Sequence, residues 1–506
     1  MSFNFVSNTQ KNFKFIKSIN SVVYLYICSF EIKNILNGIL IPLSKVNVQD
    51  DDRDYLSNKN ILKFLLQNKN EEILGEISIE LIPKQEKLIF KTMNLDNNLN
   101  SNQFNEVVKT IDKWCKNILL AKNIEYSFDF KIETYKPPKK LILTAGPMVS
   151  HYENIYTFDA VNYGWNNEWS KYIDKFETEF SRYVESKFAI ATSSCTGALQ
   201  LSLLSCGIGT GDEVIVPELT WVATASAVAY TGATPIFADV DINTWCIDSS
   251  KLDNLITKNT KAIIPVHLYG NPANMDEIMK FASKYNLRVI EDAAPAIGAT
   301  YKDKKVGSFG DFGCFSFQGA KLLVTGEGGM VVTNDENLFG KFKKIWDHGR
   351  VPGTFWIDEL GYKYKMSNLQ AAFGLGQLEN IETMIESKRR NYERYRKNFS
   401  GIENININVA GKNTQSIYWM TSILLNSETG IQRDKFMEYL RHKNIDTRPV
   451  FPSISQYPIW GKKYKENKVA KLIGENGVNL PSGVNLTFDE IDYISDTVIS
   501  FIDSNI

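Results

Sequence analysis

Between residues 188 and 294 the chain repeats one pattern, a short run rich in β-branched and apolar residues followed by a stretch with helical spacing. FAIATSS precedes GALQLSLLSCG, DEVIVP precedes TWVATASAVAYTG, TPIFADV stands next, KAIIPVHLYG precedes NMDEIMKFASKYN, and LRVIEDAA closes the series. The apolar runs lack the polar alternation of a half-exposed strand, so each must be covered on both faces. Helices in the connections provide that cover, and the expected fold class is α/β around a mostly parallel central sheet. Ligands of such sheets sit at the carboxyl ends of the strands, which is where chemistry is to be sought.

The chain has 506 residues, 43% of them hydrophobic, more than one core of roughly 250–300 residues accommodates. The paired prolines of YKPPKK at 135–140 disfavour helix and mark an extended linker, taken as 136–143. Upstream, residues 1–135 form an expected accessory α+β domain: β-like runs (SVVYLYICSF, EILGEISIEL, KLIFKTM, EYSFDFKI) surround one amphipathic helix, NQFNEVVKTIDKWCKNILL. Downstream, residues 144–380 form the large domain. Residues 381–506, with ENIETMIESKRRNYERYRKNF, SIYWMTSILLN, RDKFMEYLRHKNI and DEIDYISDTVISFI, form a smaller C-terminal α+β subdomain.

Lys and Arg number 57 against 58 Asp and Glu, a balance with no field to draw in nucleic acid or an anionic membrane. Cys28, Cys115, Cys195, Cys206, Cys246 and Cys314 are scattered without metal-ligand spacing, so they read as reduced thiols of a cytoplasmic protein and no metal is expected. No stretch is long and apolar enough to span a bilayer, and the first residues lack the pattern of a signal peptide.

Four segments carry chemistry. In ATSSCTGALQLSL a strand ends in hydroxyl residues and a helix follows; its free N–H groups, with Ser194 and Thr196, suit a phosphate, or simply cap the helix. VIEDAAPAIGA ends a strand in Glu291 and Asp292, and an Asp there suits a protonated ring nitrogen, or caps the next helix. In FSFQGAKLLVTGEGG, Lys321 follows an apolar strand bearing Ser316, a setting that lowers an amine's pKa and suits it to a Schiff base with an aldehyde cofactor. Trp221, in PELTWVATA, can lay its indole on a planar ring or serve as a core aromatic. Together they are the parts that a pyridoxal 5'-phosphate site needs.

On the motifs YGWNNEWSKYIDKFETEF, SSCTGALQLSLL, GDEVIVPELTWVATASAV, PVHLYGNPANMD, EDAAPAIGA, GSFGDFGCFSFQGAK, TGEGGMVVTND, GYKYKMSNLQAAFGLGQLE, YWMTSILL, DTRPVFP and GVNLPS, residues 144–503 resemble the DegT/DnrJ/StrS sugar aminotransferases, fold type I pyridoxal-phosphate enzymes. Within that family the likeness is greatest to perosamine-synthase-like enzymes, which aminate C4 of a nucleotide-linked 4-keto-6-deoxy sugar. The resemblance implies that Lys321 joins the cofactor and Asp292 meets its ring nitrogen. It implies that Trp221 stacks on the ring, and that Ser194, Cys195, Thr196 and Ser316 hold the phosphate. It also implies a homodimer with shared sites, in which GYKYKMSN reaches the neighbour's cofactor, so that Lys363 stands where many relatives carry Asn. Pro295 stands where many carry Gln or Glu. Keeping lysine at 321 separates the chain from relatives that have histidine there and act as dehydratases.

The implied reaction is transfer of the amino group of L-glutamate to a keto sugar, in amino-sugar or cell-surface polysaccharide biosynthesis. His267, Gln318, Glu327 and Arg448 are candidate substrate-side groups, with Arg448 alternatively a structural ion pair. Residues 1–135 loosely resemble GNAT-type acyltransferases, yet no glycine occurs between Gly75 and Gly146 to bring backbone N–H groups onto a pyrophosphate. Two other readings follow: a silent binding protein on the same scaffold, and a bifunctional enzyme that acylates the new amine.

Overall fold

The computed structural model describes residues 141–505 except 462 and 463, and upstream the backbone of strands between Asn4 and Tyr126. The chain divides into two compact units, Met1–Thr134 and Tyr135–Ile506. In the first, strands Phe13–Ile19, Val22–Ile27, Ile61–Gln67, Ile73–Ile82, Lys87–Leu95 and Asn123–Tyr126 lie in that order in one sheet. Neighbours run antiparallel except Val22–Ile27 beside Ile61–Gln67 and the last pair, which are parallel. The helix expected over 102–120 lies outside the described residues.

In the second unit, helices α1 (His151–Tyr163) and α2 (Lys171–Tyr183) lead into strand β1 (Phe188–Thr192) and helix α3 (Cys195–Ser205). Then come β2 (Glu213–Pro217), α4 (Ala223–Tyr230), β3 (Thr234–Ala238), β4 (Thr260–Ile263), α5 (Met275–Tyr285) and β5 (Arg288–Asp292). Strands β6 (Phe312–Ser316) and β7 (Gly329–Thr333) complete a seven-stranded sheet of order β3-β2-β4-β5-β6-β7-β1, in which β7 alone runs against its neighbours.

Each strand feeds two cores, because successive side chains leave opposite faces. Ile215, Ile263, Val289 and Val332 pack on one side of the sheet. Val214, Val216, Ala262, Ile290 and Val331 pack on the other. KAIIPVHLYG yields a strand only to Ile263: Pro265 has no N–H to donate, and Tyr269 then takes a left-handed φ of 52°.

Helices α6 (Glu336–Trp346), α7 (Asn368–Glu379) and α8 (Ile381–Asn398) lead to a four-stranded sheet. Its strands are β8 (Ile405–Ile407), β9 (Ser422–Leu425), β10 (Arg448–Pro449) and β11 (Gly477–Asn479), with helices α9 (Arg433–His442), α10 (Lys468–Asn476) and α11 (Phe488–Ser504) interspersed. One expectation is corrected at its edge: Ile142, assigned to the linker, pairs with Ile445, its N–H donating to the Asn444 carbonyl (2.8 Å) and its carbonyl accepting from Asp446 (2.9 Å).

Candidate active site

Register places the site. Across β6, β7 and β1, Ser316 lies opposite Gly329 and Gly329 opposite Thr192, while Asp292 on β5 lies opposite Cys314. The carboxyl ends of β1, β5 and β6 therefore align, and β7 starts at the same edge.

At that edge β1 turns directly into α3. Ser194 caps the helix, its Oγ accepting the Gly197 N–H (3.1 Å). Cys195 and Thr196 are the next residues, whose N–H groups have no carbonyl a turn earlier and point toward the positive end of the helix dipole. A Cβ on Gly329 would sit 2.6 Å from the Cys195 nitrogen, so glycine there keeps β7 from filling the cradle. Ser316 ends the adjacent strand half-buried.

Asp292 is buried, and Thr224, at the start of α4, donates its hydroxyl to Oδ2 (2.7 Å) while the Ala294 N–H donates to Oδ1 (3.1 Å). Burial pushes this carboxyl above its usual range; the Thr224 and Ala294 bonds and the Lys321 amine draw it back. Lys321 lies in the return from β6 to β7. Burial pulls its amine down to about 8, against the opposing pull of Asp292 and Cys195, so amine, carboxylate and helix start share one neighbourhood. Its Nζ stands 3.9 Å over the ring of Trp419, whose Nε1 donates to the Ala320 carbonyl (2.9 Å). Trp221 exposes its indole beside Phe451 (5.7 Å between ring centroids), Phe451 stacks on Tyr269 (5.5 Å), and Tyr269 meets Trp419 (6.0 Å). An aromatic series thus links Trp221 to the lysine.

The structure corrects one substrate-side assignment. His267 is wholly buried: its Nδ1 accepts the Ala273 N–H (3.1 Å), so the proton sits on Nε2 and is donated to Glu291 (3.1 Å). Both ring nitrogens are engaged, leaving none for a substrate. Glu291 also points away from the site, accepting the N–H groups of Gly307 (2.8 Å), Phe309 (2.7 Å) and Gly310 (2.8 Å). Adjacent strand residues face opposite ways, which separates it from Asp292.

Gln318 is exposed and turns its Oε1 to the Ala320 N–H (2.9 Å). Glu327 is exposed between Gly326 and Gly328, both at positive φ, and its carbonyl accepts from Thr325 and Gln370 (2.6 Å each). Arg448 is exposed and paired with Asp446 (3.3 Å), the ion-pair arrangement. Pro295 is buried in the turn after β5. Lys363 is exposed; burial of its amine, then Lys365 and Arg350, lower its proton affinity, while Asp347 is already occupied by Lys365 (2.5 Å) and Arg350. Thr224 and Trp419 escaped sequence reasoning: a threonine in an Ala-rich helix start and an aromatic in YWMTSILL carry no local signal of their role.

An anion cradle at a helix start, a buried carboxylate, a desolvated amine and an open indole fit a phosphorylated pyridine aldehyde. Residues 151–499 match the model of the DegT/DnrJ/EryC1/StrS aminotransferase family. The chain belongs to this family. It is 41% identical over 363 residues to a GDP-perosamine synthase of Escherichia coli O157:H7, covering 72% of this chain and 99% of that one. A GDP-perosamine synthase of Caulobacter vibrioides is 39% identical over 359 residues, 70% of this chain and 96% of the relative. Among solved structures, an aminotransferase from Psychrobacter cryohalolentis superposes with a TM-score of 0.67 at 30% identity, covering 72% and 99% of the two chains. The sheet and its helices are those of a fold type I enzyme, and the chain is a pyridoxal-phosphate-dependent sugar aminotransferase.

Proposed function

We propose that this enzyme transfers the amino group of L-glutamate to the keto carbon of a nucleotide-linked 4-keto-6-deoxy sugar, acting as a cytoplasmic homodimer. The observation that carries the catalytic assignment is the strand register, which brings Asp292, Ser316 and the start of α3 to one edge of the sheet, with Lys321 in the return that follows Ser316. The likeness to two GDP-perosamine synthases supports the sugar class.

When bound, pyridoxal phosphate supplies an electron-withdrawing ring that stabilises negative charge at the carbon losing its proton. The protein's share is positional and acid–base. Ser194, Cys195, Thr196 and Ser316 would hold the phosphate, and the Trp221 indole would shield the ring from water. Asp292, whose carboxylate form is favoured by the Thr224 hydroxyl and the Ala294 N–H against its burial, would hold a proton on the ring nitrogen. Lys321, with its amine near 8, is partly neutral at physiological pH, so it could take a proton from the donor's α-carbon and deliver it to the cofactor's C4'. Gln318, Glu327 and Arg448 remain candidates for the substrate side.

The dimer is supported by Phe355 (96% exposed), Trp356, Ile357 and Leu360 (88% exposed), which crowd apolar surface onto one loop just before Lys363. Among the described residues no helix is long and apolar enough to cross a membrane.

The test is spectroscopic and then catalytic. The purified protein should carry a visible absorbance that borohydride abolishes, and Lys321→Ala should lose both it and amino transfer. The cofactor's amino form, mixed with GDP-, UDP- and dTDP-linked keto sugars, should regain absorbance with one carrier. A wild-type protein that stays colourless with added pyridoxal phosphate would sink the reading.

A further inference from the structure

Lys388, on α8, is buried. Its Nζ donates to the main-chain carbonyls of Trp419 (2.8 Å) and Ser482, and among the described residues it forms no ion pair with a carboxylate. Burial pulls its amine down to about 7. A lysine so placed is a poor choice for packing, since a methionine would fill the same volume without a charge to desolvate. What its two hydrogen bonds hold is therefore informative.

They hold a fork. Strands β9 and β11 pair through Ser422 and Asn479, and the pairing is extended by the Leu480 N–H to the Thr421 carbonyl (2.9 Å) and the Thr421 N–H to Ser482 Oγ (2.9 Å). Beside this pairing Lys388 bridges the two segments through the Trp419 and Ser482 carbonyls. On one arm, Tyr418 takes a left-handed φ of 46° and stacks on Tyr392 of α8 (3.5 Å between centroids). Arg389 of the same helix donates to the Ser416 carbonyl (2.9 Å). Trp419 follows, and its indole both donates to the Ala320 carbonyl and lies beneath the Lys321 amine. The path from Lys388 to Lys321 is thus two contacts through one residue.

We infer that Lys388 is a positioning residue for Lys321, acting through Trp419: by pinning the Trp419 main chain it fixes the indole that sets both the backbone and the amine of Lys321. This rests on the reading of Lys321 as the lysine that joins the cofactor. Without the pin, two buried carbonyls lose their donor, the strained turn at Tyr418 relaxes, and the indole is free to shift from beneath the amine.

The experiment uses the full chain stripped of cofactor. Pyridoxal phosphate is added with cyanoborohydride, without an amino donor, and the pyridoxyl group on the Lys321 peptide is followed by mass spectrometry across pH, alongside the melting temperature. Lys388→Met should slow trapping at Lys321 by about tenfold or more, as a misplacement near 1 Å suffices to do, and should displace the pH midpoint of trapping. Lys388→Arg should restore part of the rate. Trp419→Leu should slow trapping too, and adding Lys388→Met to it should change little further. Trapping by Lys388→Met at the wild-type rate and midpoint would overturn the inference, as would single effects that multiply in the double variant. Should Lys388→Met not fold, Lys388→Gln is read by the same criteria. Wild-type protein that is never labelled at Lys321 would instead remove the underlying reading.

Discussion

Replacing Thr224 with valine keeps shape and volume but deletes the hydroxyl that donates to Asp292 Oδ2 at 2.7 Å. Hydrogen bonds to a charged acceptor are worth about 1.5–3 kcal/mol, so losing this one raises the proton affinity of Asp292 further. Burial already raises this carboxyl and Thr224 is the largest counterweight, so the variant should ionise it less readily. The sign follows from linkage. A buried carboxylate whose folded pKa exceeds its unfolded one loses stability as pH rises through the folded value, and Thr224→Val should deepen that loss. At pH 7 the cofactor-free variant should melt about 2–4 °C below the wild type, taking an unfolding entropy of about 2.1 cal/mol/K per residue over Tyr135–Ile506. The gap should narrow as pH falls and Asp292 takes up its proton. With cofactor, the half-reaction with the proposed donor L-glutamate, followed by stopped-flow absorbance, should slow about tenfold or more if Asp292 faces the ring nitrogen as proposed, since a less ionised carboxyl would hold the ring proton less well. A variant with wild-type melting across pH and an unchanged half-reaction would refute this account of Asp292.

Gly329→Ala pushes a methyl to 2.6 Å from the Cys195 nitrogen; cofactor affinity, measured by absorbance titration, should fall about tenfold or more through lost phosphate contacts. Glu291→Gln sets an amide among four donors, the three N–H groups and His267, and chemical denaturation should show a loss of about 2–4 kcal/mol. In cofactor-free protein, reductive labelling at Lys321 should rise with pH and level off above about 8, whereas a solvated lysine climbs toward about 10.4. Phe355→Ser with Trp356→Ser should shift light-scattering mass from dimer to monomer; an unchanged mass would assign that loop another role.

Much of this was legible because parallel sheets announce themselves: runs such as DEVIVP and LRVIEDAA can be buried on both faces only inside a layered α/β fold. The positions of Asp292 and Ser316 at strand ends followed from the same pattern. Sequence could not assign His267, because VHLYG reads equally as a strand end facing ligand or as a turn, and Pro265 with the left-handed Tyr269 decides for the turn. Thr224, Trp419 and Lys388 were invisible for a different reason. Each acts through a tertiary contact that spans at least 31 residues of chain, and local spacing carries no trace of such contacts.

The return from β6 to β7 also limits how far the Lys321 amine can stray. Phe317 donates to the Gly328 carbonyl (3.0 Å), Gly319 to Gly326 (3.0 Å), Thr325 to Phe317 (2.7 Å) and Lys321 to Gln318 (2.8 Å), so the loop backbone is tied on both sides of the lysine. Only the four-carbon stem of Lys321 is left to swing. An amine on so short a leash meets its reaction partner at a very high local concentration, of the kind that well-oriented intramolecular groups reach, about 10⁵ M or more. On the proposed reading of Lys321, an amine displaced from the cofactor would stay within a side chain's length of it, placed to move a proton and to return without a diffusive search.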